Sequence, residues 1–288
     1  MRLPHALLAL AVVAVWGSNF VVMKAALVHF PPLWLAALRF LLAALPLLFV
    51  PWPGAPWRWV ALYGVLIGCG QFGLLFLAMD GHISPGLASL VVQSQVFFTL
   101  LLAWALRGQA LRRLQWLALG LAGLGMAWLG LHLDAHSLTP LGLALTLAAG
   151  LSWAAANLVN QHVGRVPMLG FVVWSSAFAA PVLALLAGAF EGWEPLWRGA
   201  QSAGFGGWSA VLWQALGNTL FGYGVWGWLL GRYEAAQVVP MALLVPVFGM
   251  GCSAAWLGET LPGWKLQGAA LVMAGLLLNL WVQRKAWR

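Results

Sequence analysis

GQFGLLFLAMDGHISPGLASLVVQSQVFFTLLLAWALRGQALRRLQWLALGLAGL, residues 70–124, returns without a gap at residues 222–276, a shift of 152. Gly70 falls on Gly222, Ala103-Trp104 on Ala255-Trp256 and Leu114-Gln115 on Leu266-Gln267. Ala118-Leu119 falls on Ala270-Leu271, and Ala122-Gly123-Leu124 on Ala274-Gly275-Leu276. Many of these are common residues, so the preserved spacing of the apolar segments is the stronger sign of an internal repeat. Further towards the N-terminus, Trp16 near Asn19 resembles Trp153 near Asn157.

Outward from this stretch the chain stays apolar. Of 288 residues, 63% are hydrophobic and 7% charged, and the mean hydropathy is +0.90. A soluble domain carries about 25% charged residues. A chain this poor in charge cannot clothe a folded surface for water, which excludes a soluble enzyme, a disulfide scaffold and a disordered chain. Each bilayer-crossing helix needs roughly 20 apolar residues. The breaks give ten spans, at 5–27, 32–50, 59–79, 84–106, 114–132, 138–160, 169–189, 208–230, 235–257 and 264–283. Pro31-Pro32, Pro51-Trp52-Pro53-Gly54 and Asp80-Gly81-His82 are clear separators, and Glu191 to Gly207 is the longest connection. The expected fold is an all-α membrane protein of ten transmembrane helices in two five-helix repeats, 1–137 and 138–288. An odd number of spans per repeat inserts the second half upside down, an arrangement that places a transporter's substrate site at the repeat interface near mid-membrane.

The net charge of +8 reads as membrane orientation rather than nucleic-acid binding, because lysine and arginine collect on the cytoplasmic side. With both termini inside, the inner segments hold Arg2, Arg58, Arg107, Arg112, Arg113, Arg165, Arg232, Arg284, Lys285 and Arg288. The outer ones hold only Lys24, Arg198 and Lys265. The expectation is a cytoplasmic N-terminus and a cytoplasmic C-terminus. Ala6 to Met23 is too long for a signal-peptide core and reads as the first span. Cys69 and Cys252 form no redox or metal motif.

Polar groups inside a bilayer are costly and need a partner or a water-filled cavity. Trp16, Asn19 and Met23 share one helical face, as do Trp153, Asn157 and Asn160. Each asparagine reads equally as helix–helix glue or as cavity lining. Gln71 in the third span corresponds to Tyr223 in the eighth, where Thr219, Tyr223 and Trp226 form a stripe expected to line a cavity. Gln93 and Gln95 lie two apart, so a regular helix turns at most one of them to that cavity. Pro240 and Pro246 interrupt the ninth span and are candidate hinges, with a static kink as the plainer reading. The substrate-binding candidates are therefore Trp16, Asn19, Gln71, Gln93, Trp153, Asn157, Tyr223 and Trp226. No carboxylate lies deep in a span. Lys24 and Arg39 fall towards the outer ends, the first expected to snorkel and the second to bond carbonyls. The cavity should be neutral, suited to zwitterions or neutral solutes. The chain lacks zinc, P-loop and nucleophile-elbow motifs, so no cofactor, no metal and no catalytic residue are expected.

These features resemble the drug/metabolite transporter superfamily, specifically its EamA-type exporters, over nearly the whole chain. The resemblance rests on Val15-Trp16-Gly17-Ser18-Asn19-Phe20, on Pro31-Pro32-Leu33 leading to Leu38-Arg39-Phe40, and on Gly86-Leu87-Ala88-Ser89-Leu90. In the second half it rests on Gly222-Tyr223-Gly224 to Gly231-Arg232-Tyr233-Glu234 and on Leu257-Gly258-Glu259-Thr260-Leu261. The likeness is strongest to bacterial exporters of cysteine, O-acetylserine and aromatic amino acids. One departure stands out: the Gly258-Glu259 pair has Leu106-Arg107 as its counterpart in the first half. The resemblance implies an inner-membrane exporter of amino acids and related metabolites that works by alternating access, with a cavity lined by spans 1, 3, 4, 6, 8 and 9; a monomer or a homodimer is expected. The alternatives are a drug or nucleotide-sugar transporter and a non-transporting membrane scaffold.

Overall fold

A computed structural model describes residues 1–134 and 136–286, with backbone alone for residues 235, 236 and 284–286. The orientation expectations on Arg284, Lys285 and Arg288 thus lie outside the described side chains. Helical rods account for nearly all of it, and the described residues hold no strand beyond isolated bridges of Leu138 with Ile83 and Asp134.

The rods are α1 (Leu3–Ala26), α2 (Pro32–Leu48), α3 (Trp57–Met79), α4 (Pro85–Arg107) and α5 (Arg113–Leu131). They continue with α6 (Pro140–Val163), α7 (Met168–Phe190), α8 (204–232), α9 (Val239–Leu257) and α10 (Gly263–Ala286). Eight are long and apolar enough to cross a bilayer. α2 is shorter, and α8, thinned by glycine and polar residues, is not among the eight. Proline in the first turn starts α1, α2, α4 and α6, where its missing N–H has no partner to lose. Thr139 caps α6 by accepting from the Gly142 N–H at 3.0 Å. Left-handed Gly108 and Gly258 end α4 and α9, a conformation glycine adopts without a Cβ penalty. The long connection after α7 is not structureless: Glu194–Ser202 forms a short helix.

Three rods are irregular midway and a fourth at its start. α3 is π-helical over Leu66–Gly73, and α8 over Trp213–Phe221. α4 breaks into a turn at Val92 and Gln93. α9 runs as a 3₁₀-helix over Val239–Leu243 before its α-helical part, with Pro240 at the start of the first and Pro246 in the opening turn of the second. These are positions where proline costs little.

The packing has a regular pattern. α5 packs on α10, α2 on α7, and α4 on α9. α1 packs on α9 and α8, and α6 correspondingly on α4 and α3. α3 lies against α7, and α8 against α2. Every one of these pairs maps onto another, or onto itself, when five is added to or subtracted from the rod numbers.

Candidate functional site

The irregular rods surround a cavity of about 550 Å³, within the range of about 300–1,000 Å³ usual for small-molecule sites. All eight binding candidates from the sequence, Trp16, Asn19, Gln71, Gln93, Trp153, Asn157, Tyr223 and Trp226, lie in its wall. Pro240 and Pro246 do not, although their neighbours Val239 and Val245 do. Among the described residues, eleven lining side chains are carboxamides, and none is Asp, Glu, Lys, Arg or His.

One wall is aromatic. The Trp16 ring centroid lies 5.4 Å from that of Tyr223 and 5.1 Å from that of Trp226, both tilted. Trp16 is held by its indole N–H, which donates to the Asn218 carbonyl at 3.1 Å. π-helical winding changes the pairing register inside a helix, and this carbonyl lies in the π stretch of α8. A Cβ on Gly222 would stand 2.3 Å from the Trp16 indole nitrogen, so only glycine admits the ring there. The other half repeats the device with a different donor. The Ser152 hydroxyl donates to the Leu66 carbonyl in the π stretch of α3 at 2.8 Å, and a Cβ on Gly70 would collide with Ser152. Leu66 and Gly70 are the repeat counterparts of Asn218 and Gly222.

A second cluster in the wall is amide-rich. Asn157 donates to Gln95 Oε1 at 2.8 Å and to Thr99 at 3.2 Å. Asn157 is thus both helix glue and cavity lining. Gln93 and Gln95 both line the cavity, against the sequence expectation of at most one. The turn at Val92–Gln93 breaks the regular 100° progression on which that expectation stood. Thr219 also departs from its expected stripe: it bonds Arg39 at 3.0 Å, while Tyr223 and Trp226 face the cavity. The π stretch ending at Phe221 separates the two registers. Three lining residues present a buried oxygen without a partner: Asn19 Oδ1, Gln71 Oε1 and Asn279 Oδ1.

Sequence reasoning overlooked Asn279, Gln283, Tyr63 and Thr99 in the wall. Asn279 and Gln283 stand at i and i+4 in the second half of the tenth span, a signal of the kind that singled out Asn157. Tyr63 and Thr99 carried no comparable signal.

The cavity runs to one end of the bundle, where Gln109 and Gln161 are exposed. It stops short of the other, its wall ending at Met23 and Leu75. That sealed end is tied by ionic contacts. Glu259, after α9, accepts from Ser84 at 2.5 Å and from the Gly86 N–H at 3.0 Å at the start of α4. It also bonds Ser253 at 2.5 Å and Lys265 at 3.0 Å. Burial pushes the Glu259 carboxyl up, but the two hydroxyls and Lys265 outweigh it and hold the group below its ordinary range. Glu191, after α7, accepts from the Leu33 and Trp34 N–H groups at 2.8 and 3.1 Å. There burial prevails over the two backbone bonds, and the carboxyl lies above its ordinary range. Lys24 does not snorkel; its ammonium donates to the Met79 carbonyl at the end of α3, at 3.1 Å.

The family model described as "EamA-like transporter family" matches residues 3–131 and 140–281. A Salmonella typhimurium protein described as "Probable amino-acid metabolite efflux pump" is 43% identical over 281 residues, covering 95% of this chain and 93% of its own. An Escherichia coli protein of the same description is 38% identical over 98% of this chain and 95% of its own. A solved structure described as "Crystal structure of protein" superposes with a TM-score of 0.64 over 99% of both chains at 20% identity, a likeness of fold.

Proposed function

The chain belongs to the EamA-like transporter family, and from that premise we propose that it exports amino acids and related small metabolites across the bacterial inner membrane. The observation that carries this reading is the cavity's chemistry. Among the described residues, eleven carboxamides and no charged side chain line it. An amide both donates and accepts, so it can bond a carboxylate and an ammonium alike without bringing a net charge. The unpartnered oxygens of Asn19, Gln71 and Asn279 await donors such as an ammonium. Trp16, Trp153, Tyr223 and Trp226 offer flat apolar surface to a side chain. Such surface discriminates weakly, which fits a broad range of neutral and aromatic amino acids. The names of the two relatives above agree with this class.

All ten rods cross the bilayer in this reading, as two inverted five-helix repeats. Support comes from the packing pairs that exchange on a shift of five rods, from the π stretches of α3 and α8, and from the interrupted α4 and α9. Discontinuous helices of this kind mark transporter binding sites. The lysine and arginine bias makes the open end, with Gln109 and Gln161, cytoplasmic, as is fitting for an exporter waiting to load. The two halves then rock about the cavity, with Pro240 and Pro246 permitting α9 to bend. Among the described residues no Asp, Glu or His lines the cavity, which supports transport that is uncoupled or weakly coupled to protons.

The test is counterflow in liposomes holding only the purified protein. Vesicles loaded with one unlabelled amino acid should accumulate a labelled one with no proton gradient. Folded protein that moves no amino acid overturns the proposal.

A further inference from the structure

Arg39 is fully buried and lies in α2, one layer behind the cavity. Its Nε and Nη2 donate to Thr219 Oγ1 at 3.2 and 3.0 Å, and its Nη1 to Gln214 Oε1 at 3.2 Å. Its guanidinium carbon stands 3.6 Å from the Phe72 ring centroid, and Phe72 lines the cavity. No acidic side chain pairs with it among the described residues. The six acids of the chain, Asp80, Asp134, Glu191, Glu194, Glu234 and Glu259, all lie outside the rods. Arg39 is therefore a fixed, uncompensated cation in a low-dielectric setting, where its field reaches far.

The same group fixes an orientation. Arginine only donates, so Gln214 must turn its oxygen to it. That oxygen also receives the Asn19 Nδ2 at 3.2 Å. Asn19 is thereby obliged to leave its own oxygen, buried and unpartnered, as the atom not spent on the relay. The Gln214 Nε2 is likewise unpartnered.

We propose that Arg39 is a charge filter for the cavity, a specificity-determining residue that rejects net-cationic solutes and admits those whose positive charge is balanced by a carboxylate. It acts through space on the solute's net charge; through Gln214 it is also a positioning residue for Asn19, whose free oxygen takes the amino group of an admitted zwitterion. A zwitterion brings its own carboxylate into the positive field, whereas a cation gains nothing to offset the repulsion. The inference rests on the export reading and narrows its substrate class to zwitterions.

Gln214→Glu tests it with little change of shape. The carboxylate still accepts from Arg39 and Asn19, removes the unpartnered nitrogen, and neutralises the guanidinium. The readout is the ratio of L-lysine to L-norleucine counterflow, two solutes of similar length that differ by one positive charge. A general loss of folding or rate does not move this ratio. The wild type should favour norleucine, and Gln214→Glu should raise the lysine ratio roughly tenfold, as expected for one charge neutralised near a low-dielectric cavity. If that variant does not fold, Arg39→Gln should shift the ratio the same way. A wild type that carries both solutes equally, or a folded variant with an unchanged ratio, overturns the filter while leaving export standing. A wild type that moves neither these nor any other amino acid overturns the export reading and the filter with it.

Discussion

The two halves share a backbone and differ in what they hang on it. α3 and α8 each wind into a π stretch, and in each the equivalent carbonyl, Leu66 or Asn218, takes a side-chain donor from a rod of the other half. The donors differ: a serine in one half, a tryptophan in the other. The residues beyond them differ too, Gln71 against Tyr223. An amide thus stands in the cavity wall where the other half places a phenol. Chain ends diverge likewise. At the end of α4 stands Arg107, bonded to the Leu158 carbonyl and Gln161; after α9 stands Glu259 within an ionic cluster. The halves pack alike where their backbones agree, and their departures from the repeat change the side chains that line the cavity and tie its closed end.

The largest effect expected is at Glu259. Glu259→Gln keeps one acceptor oxygen where the carboxylate used two, Oε1 for Ser84 and Oε2 for the Gly86 N–H, and leaves Lys265, 2% exposed, without a counter-charge. Breaking a buried pair from one side costs about 3–5 kcal/mol. Melting of the purified protein should fall accordingly, and a cysteine placed at Ser84, in a background without Cys69 and Cys252, should become reactive to a membrane-impermeant thiol reagent. A melting temperature within a degree or two of the wild type would mean that the sealed end does not depend on its ionic cluster.

Next comes the aromatic wall. Trp16→Ala removes the ring shared with Tyr223 and Trp226 and strips the Asn218 carbonyl of its donor. Counterflow should drop by about tenfold or more, the ratio expected from losing roughly 1.4 kcal/mol of aromatic contact, with protein level and topology normal. Tyr223→Ala should fall in the same direction. Full activity in both variants would remove the aromatic wall from the site.

The two carboxylates that cap helices of the first half should respond to pH with opposite signs. Glu259 is held below its ordinary value of 4.5, so its contribution is complete above 4.5 and is lost as pH falls through the lower folded value. Glu191 is raised above 4.5, so its contribution is complete below 4.5 and fades as pH rises through the higher folded value. The stability gap between wild type and Glu259→Gln should therefore close on acidification below 4.5. The gap between wild type and Glu191→Gln should shift in favour of the wild type as pH is lowered from neutral. Parallel profiles would show that Lys265 and the two hydroxyls do not distinguish the sites.

Much of this was legible from residue types alone. Apolar runs and proline or glycine breaks place the rods, because lipid leaves the backbone few options. Trp16, Asn19, Trp153 and Asn157 stand out because polarity and flat rings are conspicuous in such runs. What escaped was set by departures from the 3.6-residue period. The turn at Val92–Gln93 brings both Gln93 and Gln95 to the cavity, and the π stretch of α8 separates Thr219 from Tyr223. No periodic reading contains either. Arg39 was visible, but its partners Thr219 and Gln214 lie some 175–180 residues away, and only the folded chain brings them together.

The smallest effect tests whether the shared backbone device matters in itself. Ser152→Ala leaves the Leu66 carbonyl without its donor and takes nothing from the cavity wall, because Ser152 is not part of it. Losing one hydrogen bond in a partly buried setting costs about 1 kcal/mol. Trp16→Phe makes the same deletion in the other half while keeping an aromatic ring. If the π stretches are held by these donors, both variants should lose similar stability, about 1 kcal/mol each, and their effects should add, since the two sites share no partner. Ser152→Ala should leave counterflow intact, and Trp16→Phe should lower it less than Trp16→Ala. Stability loss in one half alone would show that the repeated carbonyl bond is structural on one side and incidental on the other, and that the resemblance between α3 and α8 ends at their winding.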